Sequence, residues 1–156
     1  MPFVPPLIKL PRDKASDFEF PVLPGWKKGI LMFEKIVLVM VGGSLGAASR
    51  YGVGLLTARA WGTQFPWGTL AVNLVGCFAA GLLFALADRV RLLTPDVRLL
   101  LITGYLGALT TFSSFSLETV NAARAGLALQ PFINILVNNL FGLALTYAGL
   151  WAGGIK

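Results

Sequence analysis

The sequence predicts an all-α membrane protein of four transmembrane helices, the third of them broken. Three observations carry that expectation. Hydrophobic residues make up 56% of the 156-residue chain against 13% charged, and mean hydropathy is +0.74, far from a soluble domain. Four apolar runs each approach the ~20 residues a helix needs to cross a bilayer. The third run contains Gly104-Tyr-Leu-Gly-Ala-Leu-Thr-Thr-Phe-Ser-Ser-Phe-Ser-Leu-Glu118, which sets two Gly, five Ser/Thr and two Phe where Leu, Ile and Val are the ordinary choice. Polar groups at membrane depth need partners, so such a cluster belongs where a helix opens and its carbonyls meet an ion or a water-filled path.

Residues 1–31 differ from the rest, with six prolines, mixed charges and no sustained apolar run. They read as an unstructured tail rather than a signal peptide, which needs a charged start followed by an apolar stretch. Met-Phe-Glu-Lys at Met32 reads as an alternative start, leaving 32–156 as the membrane domain. The first span is expected over 36–56, interrupted only by Arg50. The second covers 67–87, uncharged until Asp88. The third begins near Arg98 and ends after Glu118. The fourth starts near Pro131, a favourable first-turn residue, and reaches Trp151. With both termini cytoplasmic, that side collects Lys27, Lys28, Lys35, Arg89, Arg91, Arg98 and Lys156 against Arg59 and Arg124 opposite, as the positive-inside rule prefers.

Composition also removes function classes. The formal charge is +6, but the cations flank apolar runs and read as membrane anchors, not as a nucleic-acid surface. There is no histidine, and the single Cys77 lies among apolar neighbours, so neither a zinc site nor a disulfide is available within one chain. An enzyme lacks its usual acid, base and nucleophile.

Several residues are candidates for chemistry, each with a plainer structural role beside it. Gly42, Gly43, Gly46 and Ala47 form a small-residue surface suited to close helix packing; a phosphate-cradling loop would need a strand before it. Arg50 either attracts an anion or snorkels to the interface. Thr69 and Asn73 lie one turn apart on one helix face, and an uncharged amide offers two donors to a partly dehydrated anion or glues helices together. Phe112 and Phe115 share a face; they fill a core or present electropositive ring edges to an anion. If the helix unwinds near Gly107 and Thr110, their carbonyls become ligands for a hard cation such as Na⁺; Ser/Thr back-bonding that bends the helix is the alternative. Asn134, Asn138 and Asn139 line the same polar track or bind helices to each other.

Gly43-Ser-Leu-Gly-Ala-Ala-Ser-Arg-Tyr51, Trp67-Gly-Thr-Leu-Ala-Val-Asn-Leu-Val-Gly76 and the Gly104–Glu118 stretch together resemble the CrcB/Fluc family of fluoride channels, in order and spacing, over about 32–151. The resemblance implies a four-span subunit of an antiparallel, dual-topology dimer with two fluoride pores in the bacterial cytoplasmic (inner) membrane, exporting fluoride passively and lowering its toxicity. It places the pore at Asn73, Phe112, Phe115, Thr69 and Glu118, with Asn138 as the fourth-span candidate. It implies a structural Na⁺ at the dimer centre, not transported, held by the backbone carbonyls of Gly107 and Thr110. The fourth span departs from the family's frequent Tyr and Ser. A homodimer is expected, with an opposite-topology paralogue as the other arrangement and lipid as the surroundings. A passive path suits fluoride, because HF re-forms in acid, crosses membranes and dissociates inside. The rivals are a small four-span proton-coupled cation or drug exporter, which needs a membrane-embedded carboxylate, and a non-transporting assembly subunit.

Overall fold

The computed structural model describes residues 29–87 and 93–154; the expected tail lies outside the described residues over 1–28, as do Arg89, Arg91 and Lys156. Every regular element among the described residues is helical, and four spans are long and apolar enough to cross a membrane. The fold is that of a multi-pass membrane protein.

The first helix runs Gly29–Trp61, longer at both ends than its apolar core predicts. No proline interrupts it, and Gly62 stops it by taking φ +79°, with its N–H donating to the Ala58 carbonyl at 3.0 Å. Its membrane-length portion, Met32–Trp61, is 30 residues, about 45 Å, which exceeds the hydrocarbon thickness and calls for tilt or projection. The second helix is Trp67–Ala87, as its charge-free run predicts. The third span, Pro95–Arg124, begins three residues before Arg98 because Thr94 caps it, accepting from the Val97 N–H at 3.3 Å, with Pro95 in the first turn. It passes through a π-helical stretch, Leu99–Leu106, and a last α-turn, Gly107–Leu109. Thr110 and Thr111 are extended, and helix resumes over Phe112–Arg124. The fourth span, Leu129–Ala152, has Pro131 in its first turn and a π-helical stretch at Val137–Phe141.

Two helix pairs build the molecule. The first helix packs on the amino-terminal half of the third span, and the second on the carboxy-terminal half of the fourth. Both crossings use glycine as a backbone contact. A side chain at Gly42 or Gly46 would run into the Leu100 or Tyr105 carbonyl, and one at Gly81 or Gly149 into the Thr146 or Phe78 carbonyl. Packing therefore explains Gly42 and Gly46. The buried apolar core is small, centred on Val72, Leu106 and Leu109. Large apolar side chains such as Phe33, Met40, Leu143 and Trp151 face outward, as a lipid-exposed surface requires.

Candidate functional site

The site grows from the two extended residues of the third span. Asn73, reaching across from the second helix, closes a two-way contact with Thr111: its Oδ1 accepts from the Thr111 N–H at 2.8 Å, and its Nδ2 donates to the Thr111 carbonyl at 3.3 Å. An amide fits because only a side chain with both a donor and an acceptor satisfies both halves of an exposed peptide group. Nδ2 also donates to Oδ1 of Asn138 at 3.1 Å. Thr111 caps the resumed helix, its Oγ1 accepting from the Ser114 N–H at 3.2 Å.

These bonds have a consequence for the carbonyls of Gly107 and Thr110. In an unbroken helix they would accept from the N–H groups of Thr111 and Ser114. Those two donors are committed instead to Asn73 and to the Thr111 hydroxyl. The carbonyls thereby lose those helical partners, and oxygens of this type are the ones that could serve a hard cation. The Thr110 hydroxyl donates to the Leu106 carbonyl at 3.0 Å, so the back-bonding considered as an alternative is present as well.

Two cavities flank this junction. A cleft of about 440 Å³ is lined by Asn73, Gly107, Thr110, Phe112, Phe115 and Asn138 among others. A second cavity of about 450 Å³ opens at the 62–66 loop and has Thr69, Glu118, Asn121 and Gln130 in its wall. Thr69 donates to Oε1 of Glu118 at 2.7 Å, while Oε2 of Glu118 is buried without a hydrogen-bond partner. Thr69 and Asn73, one turn apart, line different cavities, so a single helical turn separates the outer cavity, a vestibule, from the cleft.

The structure thus brings Asn73, Asn138, Phe112, Phe115, Gly107 and Thr110 to one cleft and sets Thr69 with Glu118 in the vestibule beside it. The two rings are unequal. Phe115 is 8% exposed and Phe112 77%, with centroids 5.5 Å apart and planes at 51°. Arg50 lines neither cavity. Asn139 also borders the cleft, with Nδ2 donating to the Ile135 carbonyl at 2.8 Å.

Sequence reasoning overlooked three participants. Thr111 supplies the peptide group that Asn73 holds, and the polar residue preceding Phe-Ser-Ser-Phe is a recognisable cap signal. Thr119 accepts from Nδ2 of Asn134 at 2.8 Å. Gly76 makes room for the Thr110 methyl, which a side chain there would strike; no local sequence signal marks that contact.

Four spans, two extended residues within the third and an uncharged amide bound to them define a small polytopic membrane protein of the ion-handling kind. Residues 37–150 match the family described as CrcB-like protein, Camphor Resistance (CrcB), and the chain belongs to that family. Among curated relatives it is similar to a protein of Dehalococcoides mccartyi, 42% identical over 121 residues, covering 78% of this chain and 93% of the relative. A relative from Agrobacterium fabrum is 47% identical over 119 residues, covering 76% and 94% respectively. One from Rhizobium etli is 46% identical over 114 residues, covering 73% and 91%. Each of the three is named a fluoride-specific ion channel, FluC.

Proposed function

We propose that this chain is the subunit of a fluoride-selective channel that lets fluoride leave the cytoplasm passively across the bacterial inner membrane. The relatives named as fluoride-specific channels support it, and the observation that carries it is the Asn73 amide at the cleft. Of its contacts, that to the Thr111 carbonyl is the longest, at 3.3 Å. An anion entering the cleft competes with that carbonyl for the second N–H, so Asn73 donates to the ion at little cost. Ring edges of Phe112 and Phe115 add weak positive potential without a full charge. Few and weak donors suit conduction, since an ion held tightly leaves slowly. Thr69 and Glu118 form the approach, with Arg50 raising the potential for anions from the first helix. Passive passage needs no catalytic group, and the protein is a channel rather than an enzyme.

The broken third helix gives the reading its second support. The carbonyls of Gly107 and Thr110 would hold a structural Na⁺, whose charge would tie the opened backbone together. Each chain supplies two such oxygens, and an antiparallel homodimer would bring both sets to its centre. Phe112, three-quarters exposed in one chain, gains a neighbour in that assembly. Residues 32–156 form the channel domain, and its first helix begins three residues earlier, at Gly29.

A proton-coupled cation exporter is not favoured. Among the described residues Glu118 is the only carboxylate lining the vestibule or the cleft, and its Oε1 is engaged by Thr69. The test is anion efflux from liposomes holding the purified full-length chain, with a K⁺ ionophore present. Rapid fluoride release with negligible chloride release is expected. Equal release of both ions, or coupling of cation uptake to a proton gradient, overturns the proposal.

A further inference from the structure

Asn134 is 2% exposed and borders neither cavity, yet it is the largest fully buried side chain among the described residues. A buried amide must have its hydrogen bonds satisfied, and here their direction is forced. Thr119 spends its hydroxyl proton on the Phe115 carbonyl at 2.7 Å, so its oxygen only accepts, and Nδ2 of Asn134 must face it, at 2.8 Å. Oδ1 of Asn134 therefore faces Asn138, whose Nδ2 donates to it at 2.9 Å and to the Asn134 carbonyl at 3.1 Å. That turns Oδ1 of Asn138 toward Asn73, which donates to it at 3.1 Å. The far end is fixed independently, because the Thr111 N–H can only donate to Oδ1 of Asn73, at 2.8 Å. The relay begins at a group that only donates and ends at one that only accepts, so no amide in it can turn over alone.

We infer that Asn134 is a positioning residue, resting on the anion-pathway reading above: it holds the amide of Asn138 with its oxygen toward Asn73 and its NH₂ turned away from the cleft. Of the Asn73–Asn138 pair, only Asn73 then offers amide protons to a passing anion. Without Oδ1 of Asn134 the Asn138 NH₂ keeps only the main-chain carbonyl of residue 134, at 3.1 Å, and can swing toward Asn73 and into the cleft. Asn73 loses an acceptor at the same moment, so the ion meets more donors and is held longer. Asn138 lines the cleft, but its part is to accept from Asn73.

The test compares the concentration dependence of fluoride flux in liposomes for the full chain, Asn134→Leu and Thr119→Val. The second substitution is isosteric and removes the end of the relay without touching either cavity. Both variants are expected to reach a maximum flux about tenfold lower at a half-saturating fluoride concentration also about tenfold lower, the worth of one hydrogen bond to a charged group. A merely damaged fold lowers the maximum alone. If Asn134→Leu does not assemble, Thr119→Val decides. Unchanged half-saturation in Thr119→Val, with the parent chain conducting, overturns the positioning role and leaves the pathway intact. No fluoride flux from the parent chain overturns the pathway and the role together.

Discussion

Asn73 owes its place to what an amide has and a carboxylate lacks. Its Oδ1 binds a peptide N–H while Nδ2 offers two protons, and no charge is carried into the membrane. Asn73→Asp keeps the shape and the acceptor but removes both protons. An ionised carboxylate there also repels the ion and bears the cost of charge at depth, about 3 kcal/mol, so fluoride flux is expected to fall roughly a hundredfold or more. Flux from the Asp variant within twofold of the parent would make Asn73 a structural residue only. Phe112 is the converse case, a side chain whose worth is the sign of its edge. Phe112→Ile keeps apolar bulk and loses the quadrupole, and an aromatic edge contributes up to about 1.5 kcal/mol. Flux is expected to drop about tenfold with the assembly intact by size-exclusion chromatography; an unchanged rate would reduce the ring to packing.

The third span shows what a sequence reveals and what it hides. Gly107, the Thr pair and the Ser/Phe cluster marked the point where backbone leaves the helix, because such residues are out of character in a spanning segment. Its start was harder to read, since the Thr94 cap and Pro95 lie outside the apolar run that defines the core of a span. The π-helical stretches at Leu99–Leu106 and Val137–Phe141 carry ordinary apolar residues, and their register depends on packing against other helices. Side-chain types name Asn73, Asn134, Asn138 and Asn139 as polar-track candidates; the burial of Asn134 away from both cavities and its direction of hydrogen bonding follow only from the approach of the third and fourth spans. Gly76 belongs to the same class of tertiary contact. A methyl added there strikes Cγ2 of Thr110, and overpacking of this kind costs about 1–3 kcal/mol. Gly76→Ala is therefore expected to weaken Na⁺ binding by about tenfold through displacement of the Thr110 carbonyl. Thr110→Ala alone leaves the carbonyl in place and should change Na⁺ affinity little. The double variant removes the Thr110 methyl that the added one strikes and should recover it. Weak binding in Thr110→Ala would assign the ion to the hydroxyl, and no recovery in the double variant would separate Gly76 from the ion.

The molecule as one chain has a largely apolar cleft that holds the Asn73 and Asn138 amides and whose wall includes Phe112 at 77% exposure. Lipid offers no hydrogen bonds, so backbone carbonyls and amides opened at membrane depth require cover. In the proposed antiparallel dimer, a second copy would supply that cover with the same surface and be covered in turn. That arrangement conflicts with the charges. By their places in the sequence relative to the expected spans, Lys27, Lys28, Lys35, Arg89, Arg91, Arg98 and Lys156 would fall on one side and Arg59 and Arg124 on the other, which favours a single orientation for every copy. The seven cations include several near the amino terminus, and topology responds to charges within about 15–20 residues of a span. If one polypeptide builds the channel, a cysteine placed at the carboxy terminus of a Cys77→Ala chain should be labelled by an impermeant thiol reagent in roughly half of the copies in intact cells, and in all copies after the membrane is opened. Lys27→Ser and Lys28→Ser together should move the labelled fraction further toward equality. Labelling of none or of all copies in intact cells means one orientation, and the opposite half of the pore must then come from a second, oppositely inserted polypeptide.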